Sequence, residues 1–175
     1  MGAVMKTADM AMGEFAKAVP YKEIYLHPGQ THVSREPVQI SMILGSCAGV
    51  CLYDRRLAIG GATHYMLPQW DGPGARSSRY GDVAIDILFK QFQAYGSSAR
   101  DLEAAIFGGA CMFEVFRSED GSGDHIGLRN VDMAFQTFSR LGIAIAARDT
   151  GGINGRKIKM QSDTGSVNVS LIRNS

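Results

Sequence analysis

Cysteine is scarce in this chain of 175 residues: there are three, an odd number. A secreted domain stapled by disulfides usually carries more of them, in pairs, so that scaffold is excluded. Proline is also sparse, at 5 residues against 21 glycines, which points to tight turns and short strands rather than disorder. Charge of one sign is missing too. Eighteen Lys and Arg against 17 Asp and Glu leave a net +1, and nothing in that balance suggests DNA or an anionic membrane as partner. No stretch approaches the ~20 apolar residues that span a bilayer. The N-terminal segment has no apolar run of signal-peptide length, because Lys6, Glu14 and Lys17 interrupt it. These absences point to a cytoplasmic protein with reduced thiols that neither binds nucleic acid nor inserts into a membrane.

What remains is ordinary globular composition, 45% apolar and 20% charged. A domain of this length buries about two-thirds of its unfolded surface and needs no disulfide or metal to fold. Residues 1–20 show only weak helical spacing (Met10, Met12, Phe15, Val19) and read as an N-terminal extension; 21–175 read as one domain. Glu23 to Leu26, Val38 to Leu44, Val50 to Tyr53 and Leu57 to Met66 are strand-like, the last three close enough for an antiparallel meander. Pro68 to Ser78 is a loop. Asp82 to Tyr95 and Leu128 to Leu141 have amphipathic helical spacing, ended by Gly96 and Gly142. Leu102 to Phe107 and Ile143 to Ala147 are further strands, and Arg156 to Met160 with Ser166 to Ile172 form a hairpin. The expected fold is α+β: one layered domain, a largely antiparallel β-sheet with two main amphipathic helices.

The segment Leu44-Gly45-Ser46-Cys47-Ala48-Gly49-Val50 carries the clearest chemistry. Small neighbours let a substrate carbonyl approach the sulfur and let backbone N–H groups at Ser46 and Cys47 face an oxyanion. His64 follows in the next-but-one strand and is a candidate base for the thiol. The same pattern also fits a buried small hydrophobe at Cys47 and a hydrogen-bonded strand-end residue at His64. Other groupings are weaker. Cys47 and Cys51, with His27, His32 and His64, match no common zinc spacing. Gly151 to Lys157 has the glycine and basic content of a phosphate loop but lacks its Gly-Lys-Ser/Thr ending.

Several motifs, in order, carry a resemblance. They are Leu26-His27-Pro28-Gly29, Ile40 to Cys47, Leu52-Tyr53-Asp54, Gly60 to Pro68, Arg79-Tyr80-Gly81-Asp82, Phe107 to Ala110, Ile126 to Val131 and Gly151 to Lys157. Together they make residues 24 to 172 resemble the CheD family of chemotaxis proteins. The resemblance implies chemoreceptor glutamine deamidation on a fold similar to toxin-type cysteine deamidases. It implies Cys47 as nucleophile, His64 as general base, and Ser41, where the family usually has threonine, as the residue that orients the histidine. It implies no metal or organic cofactor. The implied partners are the cytoplasmic domain of a chemoreceptor as substrate and a CheC-type phosphatase as a regulator, with Phe107 to Phe113 one candidate contact. Arg79 and Tyr80 are candidates for the substrate groove. The alternative expectation is a weakly catalytic or non-catalytic regulator that acts by binding that phosphatase.

Overall fold

The computed structural model describes residues 20–112 and 124–173. Nine strands lie in two sheets. The first sheet has the order β1 (Lys22–Tyr25), β3 (Val38–Leu44), β8 (Gly155–Gln161), β9 (Val167–Ile172). The second has the order β2 (Thr31–Ser34), β5 (Ile59–Tyr65), β4 (Ala48–Asp54), β6 (Leu102–Gly108), β7 (Ala144–Thr150). Most neighbours are antiparallel; β1 with β3 and β6 with β7 are parallel. Helices α1 (Gly81–Ala94) and α2 (Ile126–Leu141) cover the outer face of the second sheet. The layers therefore run sheet, sheet, helices, and the α+β reading holds.

Strand alternation builds two cores, one on each side of the second sheet. Val50, Leu52, Ile59, Tyr65, Ala104 and Ile106 face the helices and meet Ala84, Leu88, Phe92, Val131, Ala134 and Phe138. Cys51, Tyr53, Ala62, Ala105 and Phe107 face the first sheet and meet Ile40, Met42, Leu44, Ile158 and Met160. Strands β4 and β5 are covered on both faces, and every residue in them is buried. That explains why their sequences look continuously apolar or small instead of alternating.

The meander expected over 38–66 needs correction. Strands β4 and β5 pair as a hairpin, but β3 does not join them: its ladder partners are β1 and β8. The chain leaves one sheet at Leu44 and enters the other at Ala48. Ile40, Met42 and Leu44 then lie against Cys51 and Tyr53 face to face, a burial that lateral pairing could not provide. Strand β2 was not anticipated, and α2 starts two residues before the expected Leu128. Gly142 ends α2 in the left-handed conformation, as its position suggests. Gly151 and Gly152 have positive φ in a turn between two strands, with no helix following. The expectation for the N-terminal extension falls outside the described residues except for Pro20, and so does Phe113. Among the described residues no helix is long and apolar enough to cross a membrane.

Helix α2 docks through a very close backbone approach. A Cβ on Gly127 would stand 2.6 Å from the Gly109 carbonyl oxygen and 2.8 Å from that of Ala110. Both are backbone atoms and cannot swing aside. Gly127→Ala is therefore expected to destabilise the fold by about 1–3 kcal/mol, as overpacking does. Urea denaturation of the two proteins measures it.

Candidate active site

The turn Gly45-Ser46-Cys47 joins the two sheets, and two elements, the loop after β6 and helix α2, hold its carbonyls. Ala110 N–H donates to Gly45 O at 2.9 Å and Gly109 N–H to Cys47 O at 2.8 Å. Asn130 Nδ2, from α2, donates to Ser46 O at 2.9 Å. Among the described residues the N–H groups of Gly45 and Ser46 donate to no acceptor, and that of Cys47 faces only its own sulfur. The peptide is planar and trans, so a pinned carbonyl turns the next residue's N–H to the opposite side. The Ser46 and Cys47 amides are thus oriented, and neither is taken by another residue among those described.

Cys47 sits one residue before β4 and packs against the core between the sheets. His64 pairs with Gly49 across the β4–β5 ladder. Directly opposed residues share a face. Gly49 faces the first sheet, because a Cβ there would meet Met42 and Leu44. Cys47, two residues before Gly49, packs against that same core, so Cys47 and His64 come to the same side of the second sheet, with no hydrogen bond joining them.

The imidazole is almost fully buried, at 2% exposure. Its Nδ1 lies 3.0 Å from the carbonyl of Leu26, the residue after β1. A carbonyl only accepts, so Nδ1 carries the proton and Nε2 is left with a free lone pair. Nε2 is buried and has no hydrogen-bond partner among the described residues. Leu26 is held in turn by its N–H, which donates to Ser41 O at 2.8 Å. Ser41 thus reaches the histidine through the main chain of Leu26. Its hydroxyl makes no hydrogen bond to the ring; the Leu26 carbonyl occupies the Nδ1 position.

Burial dominates the electrostatics of both groups. It pushes the His64 imidazole below its ordinary value near 6.5, against the opposing bond to Leu26, and nearby His27 lowers it further. Burial likewise pushes the Cys47 thiol above its ordinary value near 9.0, with its own backbone N–H opposing. Both groups rest neutral at pH 7. Cys51, two positions farther along the same face than Gly49 and fully enclosed, is pushed up to about 12.

Arg79 and Tyr80 lie just beyond the end of β5. The Arg79 carbonyl accepts from Met66 N–H at 2.9 Å and Leu67 N–H at 3.1 Å, and the Tyr80 ring meets Trp70 edge to face at 4.9 Å. Their backbones are tied to the histidine strand, and the Arg79 side chain is exposed. On the other flank a cavity of about 210 Å³ opens beside Ser46, walled by Ala110, Cys111, His125 and Arg129. The buried Arg156 of β8 lies 2.9 Å from Asp149 of β7 and ties the ends of these two strands together. Cys111 belongs to this wall and donates its N–H to Gly152 O.

Two participants escaped the sequence reading. The Leu26 carbonyl is a main-chain group and leaves no side-chain signal. Asn130 did leave one. It falls on the buried stripe of α2 with Gly127, Val131, Ala134 and Phe138, and a polar residue there must find partners. It finds Ser46 O and, at 3.0 Å, Met66 O; its Oδ1 is buried and has no partner among the described residues.

These directions fix a pH profile. If Cys47 gives its proton to His64, the transfer runs wherever His64 is unprotonated and Cys47 has not ionised. Iodoacetamide labelling of the Cys47 peptide is expected to rise to a plateau through a midpoint below 6.5 and climb again only above 9.0. His64→Ala removes the plateau and lowers the rate at pH 7.5 by about 10²-fold. Stability follows the sign of the histidine shift. The unfolded chain takes up the proton first, so the stability contributed above pH 6.5 falls as pH drops towards the folded midpoint. Urea unfolding at pH 7.5 and pH 5.5 reads that loss.

Comparison with known proteins gives the chain its place. The family model described as CheD chemotactic sensory transduction matches residues 66–171. A protein of Sulfurimonas denitrificans named "Probable chemoreceptor glutamine deamidase CheD" is 38% identical over 153 residues, 87% of this chain and 96% of its own length. One of the same name from Trichlorobacter lovleyi is 40% identical over 148 residues, 85% of this chain and 89% of its own. Another, from the archaeon Pyrococcus horikoshii, is 42% identical over 126 residues, 71% and 76%. With a family match over more than half its length and relatives this similar along most of both chains, the protein belongs to the CheD family.

Proposed function

We propose that this protein hydrolyses glutamine side chains of chemoreceptors to glutamate, with Cys47 as nucleophile and His64 as base. The observation that carries the chemistry is the unprotonated, unpartnered Nε2 of His64 on the face it shares with Cys47. The names of the relatives supply the substrate.

The Cys47 thiol gives its proton to His64 Nε2, and the sulfur attacks the carboxamide carbon. The carbonyl electron pair moves to oxygen, and the N–H groups of Ser46 and Cys47 hold that oxyanion. The imidazolium then protonates the departing nitrogen. The C–N bond breaks, ammonia leaves and a thioester remains. Water gives a proton to His64 and attacks the thioester; the C–S bond breaks, leaving glutamate, and the proton returns to sulfur. Each positive charge on the imidazole is matched by a negative charge on sulfur or on the oxyanion, so the net charge of the buried site stays at zero. The reaction takes place in the cytoplasm, where the receptor's modified segments lie, and the product carboxylate becomes available for methylation.

Ser41 supports the base through Leu26, and Arg79 and Tyr80 line the approach to it. A CheC-type phosphatase is the proposed regulatory partner.

Incubation with a receptor cytoplasmic fragment, followed by peptide mass spectrometry, tests the reading. Converted glutamines gain the mass difference between an amide and an acid. Cys47→Ala is expected to lower conversion by about 10⁴-fold or more. Equal conversion by that variant refutes the assignment. Stoichiometric capture of the phosphatase with no conversion by the parent protein replaces it with the regulator reading.

A further inference from the structure

Asn130 takes no part in the proton transfers above, yet its side chain spans both halves of the site. It is completely buried, and its Nδ2 donates to Ser46 O beside the nucleophile and to Met66 O two residues after the base. We propose that Asn130 is a positioning residue that aims the oxyanion-binding amide of Cys47. The inference deepens the deamidase reading and rests on it only for the identity of the substrate.

The argument is one of peptide planes. Of the three carbonyls in Gly45-Ser46-Cys47, the outer two are held by main-chain donors, Ala110 N–H and Gly109 N–H. The middle one, on Ser46, is held by a side chain alone. In a planar trans peptide, the direction of that carbonyl sets the direction of the Cys47 N–H. Released from Asn130, the Ser46–Cys47 peptide can rotate between its fixed neighbours. Its carbonyl oxygen then faces the place where an oxyanion has to form. The orientation of the Asn130 amide follows from its partners: both are carbonyls, so the NH2 group faces them and Oδ1 faces away. Oδ1 is the end left unpartnered. The donors are used and the acceptor is not, which is the arrangement expected of a group that serves the turn.

Helix α2 is seated to make this contact. Gly127, one turn earlier, lets the helix touch the Gly109 and Ala110 backbone, and the Tyr65 hydroxyl donates to the Asn130 carbonyl at 2.6 Å. The residue that supplies the Tyr65 clamp is the neighbour of His64, so the base strand and the nucleophile turn are registered on one helical residue.

Two reactions at the same sulfur separate this role from a merely structural one. Alkylation by iodoacetamide displaces iodide and develops no oxyanion. Acylation by p-nitrophenyl acetate passes through a tetrahedral oxyanion before p-nitrophenolate leaves. Asn130→Ala is expected to keep the alkylation rate and its pH midpoint while acylation falls by about 10²–10³-fold, the loss seen when one oxyanion donor is removed. Asn130→Asp has nearly the same shape but offers the two carbonyls no donor when ionised; it is expected to show the same split, and it serves if the alanine variant does not fold. If both reactions fall together, or neither falls, the proposal is overturned. If the parent protein is acylated by the ester but converts no receptor glutamine, the deamidase reading fails and the Asn130 result stands. A parent protein that resists acylation refutes both.

Discussion

The hydrogen bond between His64 Nδ1 and the Leu26 carbonyl crosses from one sheet to the other. Leu26 follows a strand of the first sheet, and His64 belongs to the second. The bond fixes the tautomer, because a carbonyl leaves Nδ1 no choice but to donate, and it thereby makes Nε2 the basic nitrogen. It also stops the ring from turning about its own axis. The orientation of the base is thus a property of how the two sheets stack. Ser41 contributes to it through a main-chain oxygen, which a serine supplies as well as a threonine does.

Burial at this junction acts on acid and base in opposite senses with a common result. It disfavours the thiolate and it disfavours the imidazolium, so the resting pair is neutral. Proton transfer within the pair creates two opposite charges side by side and leaves the net charge of the site at zero. Cys51 shows what the residue type alone is worth. It points to the same core as Cys47, but it lies inside β4 where both neighbours are paired and nothing can reach the sulfur. Cys47 stands at the strand end, half-buried, next to amides that no other described residue takes. Position in the ladder separates the two cysteines.

Much of this was legible in the sequence, for physical reasons that can be named. Helical spacing at Ala84, Leu88 and Phe92 and at Val131, Ala134 and Phe138 marked both helices, and Gly142 marked an end, because each pattern is local. The pairing of strands was less legible. Nothing in Val38 to Leu44 says that its ladder partners are residues 22–25 and 155–161; those contacts are long-range, and apolar strands look alike whichever sheet they join. Thr31 to Ser34 carries too little apolar content for its strand to stand out, and all four residues are only half-buried. Cys47 and His64 were visible as residues of the right kind. A meander over 38–66 would bring them to the same end of one sheet; that meander does not form, and it is the β4–β5 hairpin alone that sets Gly49 opposite His64.

The family match begins at Met66, after both Cys47 and His64. What lies inside it is the apparatus that holds them. Gly109, Ala110 and Asn130 pin the three carbonyls of the nucleophile turn, and Met66, the first matched residue, shares the Asn130 amide with Ser46. The matched segment and the proposed reacting pair therefore meet in one place. The early strands bring a thiol and an imidazole to one face, and the later elements turn the amides around the thiol outward. Neither half makes an acyl-transfer site alone: a thiol and base without oriented amides would alkylate but acylate poorly, and oriented amides without the pair would hold an oxyanion that nothing generates. The site comes into being only when α2 closes on the sandwich, so its chemistry depends on the docking of that helix as directly as on the cysteine.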